Sequence, residues 1–322
     1  MPIIENSTYS SRGVFRNPHI NTVYAALFRP APSVDYSREQ IHTPDGDFLD
    51  LDWSVKGSSS LVVLLHGLEG SAARPYITSM ARFFNQHGWD ALGLNFRGCS
   101  GTPNLLPRSY HMGETGDLNL VIQHALKKYR YQNIALVGFS LGGNVLLKYL
   151  GEDEQQVPPE IVGGVAFSVP CDILHSNVEI DRWFNRHYLW KFLISLNQKM
   201  REKAARFPQQ VPLPRRMPRN FKEFDDQFTA PIHGFKDAVD YWTSSGSIRF
   251  LPTLCRPALM VNALDDTFLS KQCYPYAIAR QHPALFLETP PTGGHVGFVE
   301  PNKDNIYWAE RRAYAFIQQL LG

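Results

Sequence analysis

A serine set between glycines, a histidine set in a glycine-rich loop and two adjacent aspartates are the residues of this chain that could do chemistry together. Gly138-Phe139-Ser140-Leu141-Gly142 directly follows the apolar run Ile134–Val137 and directly precedes a helical stretch. A strand-to-helix turn this sharp forces its middle residue into a strained conformation, and small residues two positions either side let the backbone pass. Gly138 and Gly142 are those small residues, and Ser140 is the expected nucleophile, its hydroxyl raised at the carboxyl edge of a sheet. A serine hydroxyl attacks poorly until a base takes its proton. His295, in Gly293-Gly294-His295-Val296-Gly297-Phe298, is the expected base. Among 11 histidines it stands out by lying beyond the last apolar run, in a loop free enough to fold back over Ser140.

The base needs a carboxylate to fix its tautomer and to stabilise the imidazolium. Asp265-Asp266 ends the run Pro257–Leu264, which gives the chain order serine, aspartate, histidine. Neighbours at a strand end point opposite ways, so only one of the pair can face His295. The residues alone leave open which one, and Asp172, after the preceding run, competes. The other reading of the paired aspartates is a turn or helix cap. Attack on a carbonyl creates an oxyanion, which needs preorganised N–H donors. The amides expected to supply them are those of Leu141, next to the nucleophile, and of Leu68, in the turn His66-Gly67-Leu68-Glu69-Gly70.

These residues need a scaffold, and the hydrophobic pattern supplies one. Leu61-Val62-Val63-Leu64-Leu65 is a continuous branched run, as a strand covered on both faces should be. Ala91–Phe96, Ile134–Val137, Ile161–Phe167, Ala258–Ala263 and Ala284–Leu287 are similar. Phe48–Val55 alternates, with Asp50 and Asp52 between apolar positions, and predicts a half-exposed strand. Between runs the period becomes helical, with Leu118, Val121, Ile122, Ala125, Leu126 and Tyr129 on one stripe. Further helices are expected after Ser140 and over Trp308–Leu321. Alternating strands and helices predict a mostly parallel central sheet flanked by helices. Residues 1–40 are expected to form an arm over the core, and residues 171–250 a helical, cap-like insertion within one domain of 1–322. The insertion's segment Phe207–Arg219 carries too many prolines to be helical.

Composition narrows the function. The 322 residues are 43% hydrophobic and 12% aromatic, with a net charge of +2, which excludes disorder as the main state. Balanced charge argues against nucleic-acid binding. No stretch approaches the roughly 18 apolar residues of a membrane span. The start lacks the basic and apolar regions of a signal peptide. Cys99, Cys171, Cys255 and Cys273 are scattered, with no zinc or disulfide spacing, so a reducing cytoplasm is the expected compartment.

The set His66–Gly70, Asn95-Phe96-Arg97-Gly98-Cys99-Ser100-Gly101, Gly138–Asn144, Ala263-Leu264-Asp265-Asp266 and Gly293–Phe298 resembles the α/β-hydrolase superfamily. More narrowly it resembles the AB-hydrolase-4 branch, which holds uncharacterised bacterial hydrolases and eukaryotic membrane-bound lipase- or phospholipase-like members. The likeness extends to Asn17-Pro18-His19, Phe28-Arg29 and His111-Met112-Gly113-Glu114-Thr115. It implies an α/β-hydrolase fold and selects Asp266, followed by Thr267-Phe268-Leu269, as the acid. Thr267 stands where that branch commonly has proline.

The expected activity is hydrolysis of short- to medium-chain carboxylic esters through an acyl-enzyme, with no metal and no organic cofactor. Thioesterase, amidase or lipase-like activity would use the same machinery, and a non-catalytic binding module is the rival of another class. Aspartate at the elbow would suit an epoxide hydrolase or dehalogenase; Ser140 does not. Arg97 is expected to brace loops, and Cys99 not to be a nucleophile. The aromatics Trp183 to Phe192 either wall an acyl pocket or bury the insertion on the core. The basic stretch Arg201–Arg219 is expected to be a solvated loop, with contact to anionic headgroups as the alternative.

Overall fold

In the computed structural model, which describes residues 3–322, the apolar runs become the centre of a nine-stranded sheet. In chain order the strands are β1 (Ile3–Ile4), β2 (Ser37–His42), β3 (Phe48–Ser54), β4 (Ser60–Leu65) and β5 (Asp90–Asn95). They continue with β6 (Asn133–Phe139), β7 (Ile161–Phe167), β8 (Ala258–Val261) and β9 (Leu285–Glu288). The order across the sheet is β1-β9-β8-β7-β6-β4-β5-β3-β2. Only β2 with β3 and β3 with β5 pair antiparallel; every other neighbour is parallel.

Residues 3–42 therefore supply both edges of the sheet, which is more than an arm over a core. The β2 edge also corrects the reading of β3. Asp50 and Asp52 are buried, because Gln40 and Arg38 stand directly opposite them on β2. Arg38 grips the Asp52 carboxylate at 2.7 and 2.8 Å, Asn95 donates to it at 2.9 Å, and Gln40 reaches Asp50 at 3.1 Å. Cross-strand pairing of this kind lets an acidic alternation lie inside a sheet.

Each sheet face carries its own apolar layer. Helices α3 (Gly116–Tyr129) and α4 (Leu141–Glu152) cover one face through Leu118, Val121, Val145 and Leu146. Helix α2 (Pro75–Gln86) and the C-terminal helix Trp308–Leu321 cover the other through Ile77, Met80, Phe84 and Phe316. Helix α1 (Pro18–Leu27) starts where the Asn17 side chain accepts from the N–H groups of His19 and Ile20, with Pro18 at its first position. Between β7 and β8 the chain forms α5 (Ile173–Ile180), the long α6 (Arg186–Arg206), and short helical turns from Phe221 to Ser245. This insertion has an apolar cluster of its own, built on Leu193, Leu196, Met200, Phe224 and Phe228. Among the described residues no helix is long and apolar enough to cross a membrane.

Candidate active site

Ser140 sits at the junction of β6 and α4 with φ +52° and ψ −116°, a region hostile to a residue with a Cβ. The turn is held because the Ser140 N–H donates to Phe167 O at 2.8 Å and its carbonyl accepts from Asn144 N–H at 3.0 Å. The flanking glycines are there for space. A Cβ on Gly138 would lie 2.5 Å from the Gly142 carbonyl oxygen, and one on Gly142 would lie 2.5 Å from that of Leu65.

The structure brings His295 and Asp266 to this serine. Ser140 Oγ is 2.9 Å from His295 Nε2, and His295 Nδ1 is 2.9 and 3.1 Å from the two Asp266 oxygens. Asp266 is buried and also accepts the Phe268 N–H at 3.0 Å, so its carboxylate is oriented from both sides. The Phe268 ring stacks on the imidazole at 4.2 Å. Asp265 points away and takes the Gly294 N–H at 2.9 Å; burial pushes its carboxyl up to about 6. Asp172 is the N-cap of α5 and accepts the His175 N–H. Both competitors thus have turn and cap duties.

Leu141 is the first residue of α4, where a helix has no internal acceptor for its N–H. Among the described residues neither the Leu68 nor the Leu141 N–H finds a protein acceptor. The turn that carries Leu68 is fixed by His66. Its Nε2 accepts the Phe96 N–H at 3.2 Å, so its Nδ1 carries the proton donated to Gly67 O at 2.7 Å. Burial holds His66 neutral by pulling its pKa down to about 4. Gly67 approaches so closely that a Cβ there would sit 3.4 Å from that of Ser140.

The family model described as alpha/beta hydrolase fold matches residues 60–301, which is most of the chain. The chain is a member of the α/β-hydrolase fold family. Its relatives include YheT of Escherichia coli (strain K12), an esterase by provisional name only, 32% identical over 88% of this chain and 85% of that one. Phospholipase ABHD3 of Mus musculus is 32% identical over 85% of this chain and 70% of its own. The fold is also that of the Pyrococcus furiosus esterase PF2001, with a TM-score of 0.61 at 19% identity, covering 90% of this chain and 92% of the other.

Beside the elbow this α/β-hydrolase has a cavity of about 330 Å³, bordered by Leu68 and Leu141 and roofed by the insertion. Its apolar wall is Leu196, Met200, Phe221, Phe224 and Phe228. The aromatics from Trp183 to Phe192 do not form it: Trp183 and Trp190 are 81% and 69% exposed, and Phe192 packs against the insertion's own cluster. The wall begins one turn later on α6, at Ser195 and Leu196. Cys99 is buried near Lys199, and burial pushes its thiol up to about 11. Arg97 braces the β2–β3 turn against the start of α3, bonding Asp117 at 2.7 and 2.8 Å, Asp45 at 2.8 Å and Asp47 at 3.4 Å.

Several residues that shape the site carry no role in the sequence reading. Thr22 on α1 accepts the His295 N–H at 2.8 Å, and Ser168 Oγ accepts the Val296 N–H at 2.8 Å. Thr22 follows the Asn17-Pro18-His19 motif closely, which was the available signal. Glu69 lies inside the His66–Gly70 turn, but its partners Tyr110, Ser195 and Lys199 have no spacing that would announce them.

Proposed function

We propose that the protein is a serine hydrolase that cleaves carboxylic esters through an acyl-enzyme. The observation that carries this is the continuous hydrogen-bonded line from Asp266 through His295 to Ser140, with 2.9 Å on each side of the imidazole. Asp266 keeps the proton on Nδ1, which leaves Nε2 free to take the Ser140 hydroxyl proton as the oxygen attacks the ester carbonyl. The Leu68 and Leu141 N–H groups receive the oxyanion. His295 then hands its proton to the departing alcohol. In the second half the same imidazole takes a proton from water as the water oxygen attacks the acyl carbonyl. It returns that proton to Ser140 Oγ as the acyl–serine bond breaks and the acid leaves.

The cavity supports an acyl-ester substrate. Its cations are already engaged: Lys203 donates to Asn104 Oδ1, Leu106 O and Arg108 O at 2.8, 2.7 and 3.0 Å, and Lys199 pairs with Glu69 at 2.8 Å. What faces an incoming group is the aromatic and aliphatic wall, which suits the chain of a short- to medium-chain acid. The esterase name of the E. coli relative supports the ester bond as the target. The test is labelling by an alkyl fluorophosphonate together with turnover of p-nitrophenyl esters. Both are expected in the native protein and neither in Ser140→Ala. Labelling that survives the substitution overturns the assignment.

A further inference from the structure

We infer that Glu69 is a positioning residue that ties the cap helix α6 to the oxyanion turn, so that seating of the cap and alignment of the Leu68 N–H are one event. The inference rests on the ester-hydrolase reading above and assigns a residue to which that reading gives no part.

Glu69 has φ +54°, an unfavourable conformation for a side chain with a Cβ, so surrounding contacts must hold it there. Those contacts come from two bodies. From the sheet domain, the Tyr110 hydroxyl donates to Glu69 Oε1 at 2.8 Å and accepts the Glu69 N–H at 2.9 Å, which closes a ring through side chain and backbone. From the cap, Lys199 Nζ meets Oε1 at 2.8 Å and Ser195 Oγ donates to Oε2. Ser195 and Lys199 are four apart on α6 and therefore on one face of it. The Glu69 side chain is only 8% exposed, so the carboxylate depends on these partners for its solvation.

Leu68 stands immediately before this clamp, and its side chain packs on both the sheet-domain cluster and the cap cluster. The other end of the turn is held by the sheet domain alone. Tyr76 Oη accepts the Gly67 N–H at 3.1 Å, and Gly67 O accepts the Gly70 N–H at 3.0 Å. The Leu68 amide thus lies between a fixed end and an end fastened to α6. Helix α6 also contributes Leu196 and Met200 to the cavity wall, so a group that fills the cavity presses on the same helix that holds the turn.

The experiment measures p-nitrophenyl ester kinetics per fluorophosphonate-titrated site, which counts only folded, competent protein. Glu69→Gln keeps an acceptor for Tyr110 or Ser195 but loses the ion pair with Lys199. It is expected to lower kcat about 10- to 100-fold with KM changed less than about threefold, since a misaligned donor costs the transition state and not ground-state binding. Affinity for a trifluoromethyl ketone, whose serine adduct carries an oxyanion, should fall in parallel, while inhibition by the product carboxylate stays within about twofold. Releasing the clamp from the cap side by the Ser195→Ala, Lys199→Met pair should reproduce the kcat loss with every residue of the turn itself left native. Adding Glu69→Gln to that pair should cost little more. Native kcat in Glu69→Gln, unchanged ketone affinity, or additive losses would overturn the inference while Ser140→Ala still abolished turnover. Should Glu69→Gln fail to fold, the Ser195, Lys199 pair decides the question by itself. A native protein with neither ester turnover nor labelling would instead remove the parent reading, and this one with it.

Discussion

Thr22 Oγ1 accepts the backbone N–H of His295 at 2.8 Å, across 273 residues of sequence. The proposed base therefore takes its height above Ser140 from α1, a helix near the start of the chain. Asn21 beside it accepts the Val299 N–H at 3.1 Å, so one turn of α1 holds both ends of the histidine loop. Gly294 and Gly297 permit this closeness, since a Cβ on either would collide with α1 at 2.6 and 2.1 Å respectively. Replacing Thr22 by Val leaves the His295 N–H without its acceptor. Stability should drop by about 1–2 kcal/mol in urea unfolding, with ester kcat reduced several-fold, and Thr22→Ser should restore both. Native kcat in the Thr22→Val protein would show that α1 merely covers the loop.

The two aspartates should separate sharply. Asp266→Asn favours the wrong imidazole tautomer, and ester kcat is expected to fall by about 10³- to 10⁴-fold. Asp265→Asn keeps an oxygen for the Gly294 N–H and should leave kcat within about threefold. Steady-state kinetics of the pair at one pH decides it, and the reverse ranking would refute the role given to Asp266.

The chain-length preference should track the cavity wall actually observed. The value of kcat/KM is expected to rise from acetyl towards medium-chain esters by about two- to fourfold per methylene, then fall once the cavity is full. Phe228→Ala should flatten that series, whereas Trp183→Ala, at an 81% exposed position, should not. A flat profile in the native protein would remove the cavity from the substrate path.

The cap carries a pH-dependent group. Asp225 lies in a turn of π-helix, and its carboxyl accepts from Thr229 Oγ1 at 2.5 Å and Trp242 Nε1 at 2.7 Å. Burial pushes its pKa up to about 7 from 3.8. A carboxyl raised on folding contributes stability below its unfolded pKa and loses it as pH rises through the folded one. The melting temperature of Asp225→Asn should therefore gain on that of the native protein between about pH 4 and pH 7. His66, buried neutral, works in the opposite direction on acidification but cancels in the comparison. A constant difference across that window would contradict the buried carboxyl.

Arg97 joins the β2–β3 turn to α3 through Asp45, Asp47 and Asp117. Arg97→Met leaves two buried carboxylates without their cation, and a loss of about 3–5 kcal/mol in chemical unfolding is expected. A loss under about 1 kcal/mol would mean that the loops brace one another by other contacts.

The sequence by itself determined what lies within a few residues of chain. The Ser140 elbow, the free N–H of Leu141 and the run-and-stripe alternation were all legible, because a tight turn, a helix start and a buried face leave local signatures. Which face a buried face meets is another matter. Asp50 and Asp52 read as solvent-facing because Arg38 and Gln40, on a polar edge strand with no apolar signal, could not be seen to lie opposite. The aromatics from Trp183 to Phe192 drew attention to the start of α6, whereas the residues that roof the cavity, Leu196 and Met200, lie further along the same helix. The choice of Asp266 over Asp265 came from family resemblance, since adjacent residues share the same local pattern and differ only in direction. Tertiary structure alone joined Thr22 to His295 and Glu69 to α6. Those bonds span about 270 and 130 residues. A hydroxyl or carboxylate carries no mark of a distant partner until packing sets the two side by side.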